Sequence, residues 1–353
     1  MPSSDVRDRL LQDFIDSRGG SAVPPSAAPA KKVEPLIDST IETEGNHTWG
    51  VLTGHTGKYA AFKTHVYDDS DWSEDVRKFI PEQVPLFAYD DTFFRMAMAI
   101  DQGMTTFLWG PSGSGKDVAA KQYCALRRIP YGRITGKEGM TPDMVIGCTL
   151  LNEEGTYFSE GDAYKFCRDG GMLVLSEPAA MTRVMFALQS ALEKPGHLSV
   201  PDHPDPDSRM LNVNDRTLFV MTSNVRGVGD NRSKHSATDV MDSSTINRIE
   251  ATIYKPYMDG GLEKQILKGH FPTASDEFVG KCVSLGNMIR DAINKRQINA
   301  DWSLRTMIPW IRMSLIYGNA ADGMRTTYFD KLDDAEKGAV QGFWTAVGFD
   351  EKL

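Results

Sequence analysis

Residues 105–118, read Thr-Thr-Phe-Leu-Trp-Gly-Pro-Ser-Gly-Ser-Gly-Lys-Asp-Val, constrain the fold more than any other stretch of this chain. Residues 105–109 are a short apolar run rich in strand formers. Gly110, Pro111, Ser112, Gly113, Ser114 and Gly115 make a loop too glycine-rich for regular structure. From Lys116 onward, Val118, Ala119, Ala120 and Tyr123 recur as the buried stripe of a helix. Strand, glycine loop and helix with G-x-x-x-x-G-K form the P-loop pattern. Its backbone N–H groups and the helix N-terminus make a concave anion site, and Lys116 reaches the β- and γ-phosphates of a nucleotide. The bland alternative, a glycine turn that happens to precede a helix, does not explain a lysine in register with the right context on both sides. One position departs from the pattern: Asp117 stands where a Ser or Thr hydroxyl would bind Mg²⁺.

A chain of 353 residues is long enough for two packed units, or for one large α/β unit with a smaller partner. Its 41% apolar and 25% charged residues are those of an ordinary soluble globular protein. No run approaches the roughly eighteen apolar residues that span a bilayer. The opening Met1-Pro-Ser-Ser-Asp-Val-Arg lacks the apolar region of a signal peptide, so a cytoplasmic location without a membrane partner is expected. Cys124, Cys148, Cys167 and Cys282 show no C-x-x-C spacing and no nearby His, and read as reduced, mostly buried thiols. A net charge of −9 argues against a broad footprint on nucleic acid, though a local basic patch stays open.

Along the chain, residues 4–17 place Val6, Leu10, Leu11, Phe14 and Ile15 on one face of a short helix stopped by Gly19 and Gly20. The Ala/Pro/Ser-rich stretch 21–35 reads as a linker. Such a tethered helix suits a docking peptide or a frayed extension equally. Residues 47–67 alternate around Gly50, Gly54 and Gly57 and suggest one or two hairpins; His47, His55 and His65 lie there without metal-ligand spacing. A helix is expected over 86–102, a strand over 131–134 and a helix start at Thr141-Pro142-Asp143. A hairpin follows at 148–158 and a helix at 160–168. Residues 172–177 form a continuous apolar strand ending in Glu177, as in the centre of a parallel sheet. A helix over 182–193, a hairpin over 198–213, a buried strand over 217–222, a polar aperiodic loop over 226–242 and a strand over 249–253 complete the alternation. Beyond residue 262 the pattern is helical, across 262–269, 276–296, 303–318 and 331–347.

Alternating strands and helices followed by helices alone argue for a doubly wound parallel sheet with a small helical domain behind it. The expected boundaries are an N-terminal extension over 1–45, a small hairpin region over 46–84, an α/β nucleotide-binding domain over 85–258 and a helical lid over 259–353. Chemistry should gather at the carboxyl ends of the strands.

Five ordered elements now carry a resemblance: residues 110–116, 173–177, 219–224, Asn247-Arg248-Ile249 and Ser303-Leu304-Arg305. Over roughly 85–320 the chain resembles the AAA+ ATPases, and within them the MoxR-type group that includes the ATPase subunit of cobaltochelatase. The resemblance implies a P-loop NTPase fold with a helical lid, ATP and Mg²⁺ as cofactors, and residues 110–118 as the nucleotide contacts. It implies that Glu177 polarises the attacking water. Asn224 matches sensor 1, which helps orient that water, and Arg305 matches sensor 2, which brings the lid onto the phosphates. Arg248 matches the arginine finger, acting in trans on the next subunit's nucleotide. The hairpins at 148–158 and 198–213 resemble the helix-2 insert and the pre-sensor-1 hairpin, which face pore or substrate.

Two positions depart from the family pattern: Asp117 replaces the Walker A hydroxyl and Ser176 the Walker B aspartate. Carboxylate and hydroxyl have exchanged places. One reading is compensation, with Asp117 binding Mg²⁺ directly and Ser176 supporting it. The other is repulsion between Asp117 and the phosphates, giving a slow or dead ATPase. The resemblance accordingly implies a ring, a hexamer, that hydrolyses ATP to remodel a partner protein with a von Willebrand factor A domain, as in metal-insertion complexes. Two alternatives are an ATP-gated scaffold with weak or no hydrolysis and, disfavoured by the charge, a nucleic-acid motor. A small-molecule kinase would leave the sensor and finger residues without purpose.

Overall fold

Five parallel strands form the centre of the computed structural model, which describes residues 43–353 apart from 154 and 227–240. They are β1 (Thr106–Trp109), β2 (Tyr131–Thr135), β3 (Gly171–Ser176), β4 (Thr217–Ser223) and β5 (Ala251–Tyr254), in the order β5-β1-β4-β3-β2. Helices α1 (Asp91–Asp101), α2 (Lys116–Arg127), α3 (Asp162–Asp169) and α4 (Thr182–Leu188) belong to the same part of the chain. The strands are apolar on both faces because both faces are covered. Leu173, Leu175, Phe219 and Met221 pack into one core with Phe166 of α3 and Val184 and Leu188 of α4. Met172, Val174 and Val220 pack into the opposite core with Phe93, Phe94 and Ile100 of α1 and Tyr123 of α2. Alternate residues of each strand feeding opposite cores is the period-two geometry of a strand, and helices on both sides make the sheet doubly wound, as expected.

Register decides where the chemistry sits. Trp109 pairs with Ser223 between β1 and β4, and Ser176 pairs with Thr222 between β3 and β4. Three strands therefore end level, and the residues that follow them, Gly110, Glu177 and Asn224, emerge side by side at the carboxyl edge.

The C-terminal part is helical: α5 (Gly260–His270), α6 (Asp276–Asn294), α7 (Leu304–Tyr317), α8 (Ala320–Thr327) and α9 (Asp334–Ala346). It has a core of its own around the fully buried Trp302, Trp310 and Trp344. Each start is capped: Ser275 accepts from Phe278 N, Ser303 from Arg305 N, and Asp333 forms a capping box with Glu336. The Ser303 cap fixes Arg305 in the first turn of α7.

Several local expectations change. The helix expected over 86–102 begins at Asp91, because Leu86 adopts φ 57° and the Asp90 side chain caps the helix by accepting from Phe93 N. The helix expected over 182–193 is α-helical to Leu188 and continues as a 3₁₀ turn, Gln189–Leu192. α8 was not expected; Gly318, in the left-handed region, ends α7 and Asn319 caps the next helix at once. The two insert hairpins form as antiparallel pairs, Gly147–Asn152 with Gly155–Glu160 and His197–Ser199 with Met210–Asn212. Between 47 and 67 only two residues a side pair, His47–Thr48 with Lys63–Thr64, and a short helix, Trp49–Thr53, lies between them. The buried Asp101 carboxylate holds this segment onto the core, accepting from Trp49 Nε1 at 2.9 Å, Thr64 Oγ1 at 3.0 Å and Tyr123 OH at 2.8 Å while pairing with Arg127. His55 and His65 pack against the rings of Phe94 and Tyr67.

The expected helix over 4–17, the linker over 21–35 and nearly all of the loop over 226–242 lie outside the described residues. Among the described residues no helix is long and apolar enough to cross a membrane. Cys124, Cys167 and Cys282 are buried, and burial raises all three thiols, Cys167 to about 12.

Candidate nucleotide site

The loop after β1 is shaped by glycine at positions where a side chain has no room. Gly113 adopts φ 73°, and a Cβ there would lie 2.3 Å from Ser303 Oγ at the head of α7. A Cβ on Gly110 would lie 2.1 Å from the Lys255 carbonyl. The loop is thus pressed against the helical part on one side and against the end of β5 on the other. The Ser114 hydroxyl is buried and has no hydrogen-bond partner among the described residues, leaving a donor for an incoming oxygen.

Lys116, at the start of α2, is 7% exposed. Its ammonium donates to Gly110 O at 2.8 Å, Pro111 O at 3.0 Å and Asn224 Oδ1 at 2.9 Å. An ammonium has three protons, and all three are engaged. Burial lowers its pKa, with Arg305 acting in the same direction and Asp117 and Glu177 opposing.

A cavity of about 270 Å³ opens beside the loop, lined by Gly113, Gly115 and Val118 together with Phe87, Tyr257 and Arg305. Its walls are largely apolar, with Leu86, Ile266, Leu304 and Ile308 contributing. An apolar cavity next to an anion cradle has the chemistry of a nucleobase subsite.

Glu177, directly after β3, adopts φ 53° and ψ 58°, a left-handed conformation that is uncommon for a side chain of its size. Its carboxylate is held twice: Oε2 accepts from Ser223 Oγ at 2.7 Å and Oε1 from Asn224 N at 3.1 Å. Asn224 therefore touches both Lys116 and Glu177. The level strand ends bring cradle, carboxylate and amide together.

Asp117 and Ser176 are brought together as well, with Ser176 Oγ 3.4 Å from Asp117 Oδ1. Thr222 Oγ1 donates to the same carboxylate oxygen at 2.8 Å and lies 2.9 Å from Ser176 Oγ. A fourth residue enters from β2. Arg133 donates from Nε to Ser176 Oγ at 2.9 Å and places Nη2 2.9 Å from Asp117 Oδ2. One carboxylate and two hydroxyls are hard oxygen donors of the type Mg²⁺ prefers. As arranged they do not fit a bound divalent ion, because a guanidinium already bridges the two residues that would hold it.

Arg305 reaches the cavity from the lid. Arg248 does not join the cluster. It pairs with Glu193, Nη2 to Oε1 at 2.6 Å, and donates to Ser244 O at 2.8 Å, on a half-buried surface of its own chain. Arg133, Thr222 and Ser223 were missed by sequence reasoning. The available signal was Arg133 itself, an arginine within a five-residue strand whose neighbours Gly132 and Ile134 are buried.

Residues 105–240 match the family described as the AAA domain, dynein-related subfamily. Subunit CobS of the aerobic cobaltochelatase of a Sinorhizobium species is 24% identical over 285 residues, covering 78% of this chain and 85% of that one. Among solved structures, a mutant RuvB of Thermotoga maritima has TM-score 0.44 at 12% identity, covering 77% of this chain and 76% of its own. The RuvB Holliday junction branch migration motor of the same organism has TM-score 0.42 at 14% identity, covering 73% and 75%. The match to the dynein-related AAA domain is confined to residues 105–240, and the fold is that of an AAA P-loop NTPase with a helical C-terminal region.

Proposed function

We propose that this chain binds ATP in the cradle of residues 110–118 and hydrolyses it, in a ring of like subunits that remodels a partner protein. The observation that carries the reading is the double attachment of Asn224, to the cradle lysine through Oδ1 and to Glu177 through its backbone N–H. Phosphate arriving at Lys116 must break the first bond, which frees the Asn224 amide beside Glu177. The carboxylate is then placed to polarise a water against the γ-phosphate, with the amide helping to orient it. Arg305 would bring the lid onto the phosphates, and Arg248 would serve a neighbouring subunit.

Likeness to a cobaltochelatase subunit supports a setting in a metal-insertion or similar complex, and to that we add a cytoplasmic location and a partner with a von Willebrand factor A domain. The tetrapyrrole or metal chemistry would belong to other subunits. The test combines ATP turnover and particle mass, with and without nucleotide, for the wild type and Glu177→Gln. Turnover lost in Glu177→Gln, with nucleotide-dependent assembly retained, supports the reading; a monomer at saturating ATP overturns the ring.

One observation favours the alternative of a nucleotide-gated scaffold with weak hydrolysis. All three ammonium protons of Lys116 are already bonded within the chain, so binding must give up at least one good hydrogen bond for each phosphate contact the ammonium makes. Wild-type turnover equal to that of Glu177→Gln would favour it.

A further inference from the structure

The guanidinium of Arg133 occupies a particular place. It bridges Asp117, the residue after the cradle lysine, and Ser176, the residue before Glu177. Those two backbone positions flank where the charge of a bound triphosphate and its attacking water would lie. Ser176 and Thr222 are each 2% exposed, so their hydroxyls are fixed in place, and both lean on the Asp117 carboxylate. The Asp117 carboxylate is the group that would otherwise repel phosphate, since like charges brought this close in a partly buried site oppose each other strongly. Arg133 cancels that charge. Its side chain is 42% exposed, and Nη1 has no partner among the described residues, so it keeps donors for an incoming anion. A planar fork of this kind suits phosphate oxygens.

We propose that Arg133 is the resident cation of this site: it neutralises Asp117 and then donates to the triphosphate, so that nucleotide binding does not require a divalent metal. The exchange of carboxylate and hydroxyl between positions 117 and 176 is then explained by an arginine. Asp117 anchors the guanidinium, Ser176 accepts from its Nε, and Thr222 holds the carboxylate in place. The proposal rests on the nucleotide reading above and adds which group carries the positive charge.

The experiment measures equilibrium binding of ATP to the full chain in excess EDTA and in excess Mg²⁺, for wild type, Arg133→Gln and Arg133→Lys. For the wild type, Kd values within fivefold of each other in the two buffers are expected. Arg133→Gln should bind more than fivefold more weakly than wild type in EDTA, since a charge-assisted hydrogen bond to a phosphate corresponds to roughly tenfold or more. Arg133→Lys keeps the charge and should bind in EDTA more tightly than Arg133→Gln. The proposal is overturned if wild type loses more than fivefold in EDTA, if Arg133→Gln stays within fivefold of wild type there, or if Arg133→Lys binds no better than Arg133→Gln. The wild-type comparison involves no substitution, so a poorly folding variant leaves that arm decisive. Failure to bind ATP in either buffer would instead sink the nucleotide reading itself.

Discussion

The Asn224 amide oxygen accepts from the Lys116 ammonium at 2.9 Å, across the seam between the loop after β1 and the end of β4. The pair couples the cradle to the strand that carries Glu177's partners, because Asn224 N also donates to that carboxylate. Asn224→Ala removes the tether and the amide together. Lys116 gains a free donor, so ATP affinity should hold or rise by a few-fold. Water orientation is lost, and kcat should fall by roughly 10²-fold, the lower range for a positioned polar group in proton transfer. Steady-state kinetics with a separate binding titration would check this split; a variant that loses affinity while keeping kcat contradicts it.

Glu177 is held in a strained left-handed conformation with both carboxylate oxygens engaged. Glu177→Gln preserves the volume and removes the base. Turnover should fall by about 10²- to 10⁴-fold with nucleotide binding intact. Ser223→Ala removes only the hydroxyl on Oε2, so a smaller loss is expected, on the order of tenfold, corresponding to one hydrogen bond of about 1.4 kcal/mol. Equal losses in the two variants would mean that Ser223, rather than the carboxylate, limits the reaction.

Gly113 and Gly115 both lie in the left-handed region, at φ 73° and 87°, but differ in surroundings. A Cβ on Gly113 would meet Ser303 Oγ at 2.3 Å, whereas one on Gly115 meets nothing within 4 Å. Gly115→Ala should therefore cost only backbone strain, about 1 kcal/mol. Gly113→Ala carries that strain and also pushes the head of α7, with Arg305, away from the cradle. Thermal unfolding should rank Gly113→Ala as the more destabilised, and ATP affinity should fall in that variant first. The reverse ranking would mean that lid and loop do not press on each other.

The fold was legible because its signals are local and repeated. β3 and β4 read as buried strands from unbroken apolar runs, and the P-loop from a lysine in register with its glycines. Glu177 and Asn224 were legible as strand-end residues, since a parallel sheet puts chemistry at its carboxyl edge. Arg133 was not. Its meeting with Asp117 depends on β2 lying beside β3, and on Thr135 pairing with Ser176, which is register between strands about forty residues apart. The helix over 49–53 was hidden for a related reason: Trp49 is buried against Phe93, Phe94 and Tyr123 and donates its indole N–H to Asp101, all of them more than forty residues away. α8 was missed because one Gly-Asn pair both ends a helix and starts the next.

Glu263 and Arg290 form a buried ion pair between α5 and α6, with side chains 2% and 6% exposed and contacts of 2.5 and 2.8 Å. The Arg290 guanidinium also lies over the Tyr257 ring, which lines the cavity. Removing one partner leaves an uncompensated buried charge, so Glu263→Ala should destabilise the chain by about 3–5 kcal/mol. Glu263→Met with Arg290→Met, which removes both charges, should recover most of that loss. Chemical denaturation of the three proteins decides it: a double variant as unstable as the single one would mean that the pair contributes more than mutual compensation.

Arg248 meets no cradle residue of its own chain and is held by Glu193 on a half-buried surface. A finger working in trans must leave that pair when subunits meet. Glu193→Ala should then leave turnover unchanged or raise it, whereas Arg248→Ala should abolish turnover with nucleotide binding intact, as removal of a trans arginine costs about 10³-fold or more. The decisive step is mixing. Arg248→Ala keeps a good carboxylate and Glu177→Gln keeps a good finger, so each is inactive alone. In mixed rings, one interface in about four joins the intact carboxylate of one subunit to the intact arginine of the next, so an equal mixture should recover up to about a quarter of wild-type turnover. A mixture as inactive as its parts would place the role of Arg248 within its own subunit, in the Glu193 pair, and remove the strongest reason for a ring.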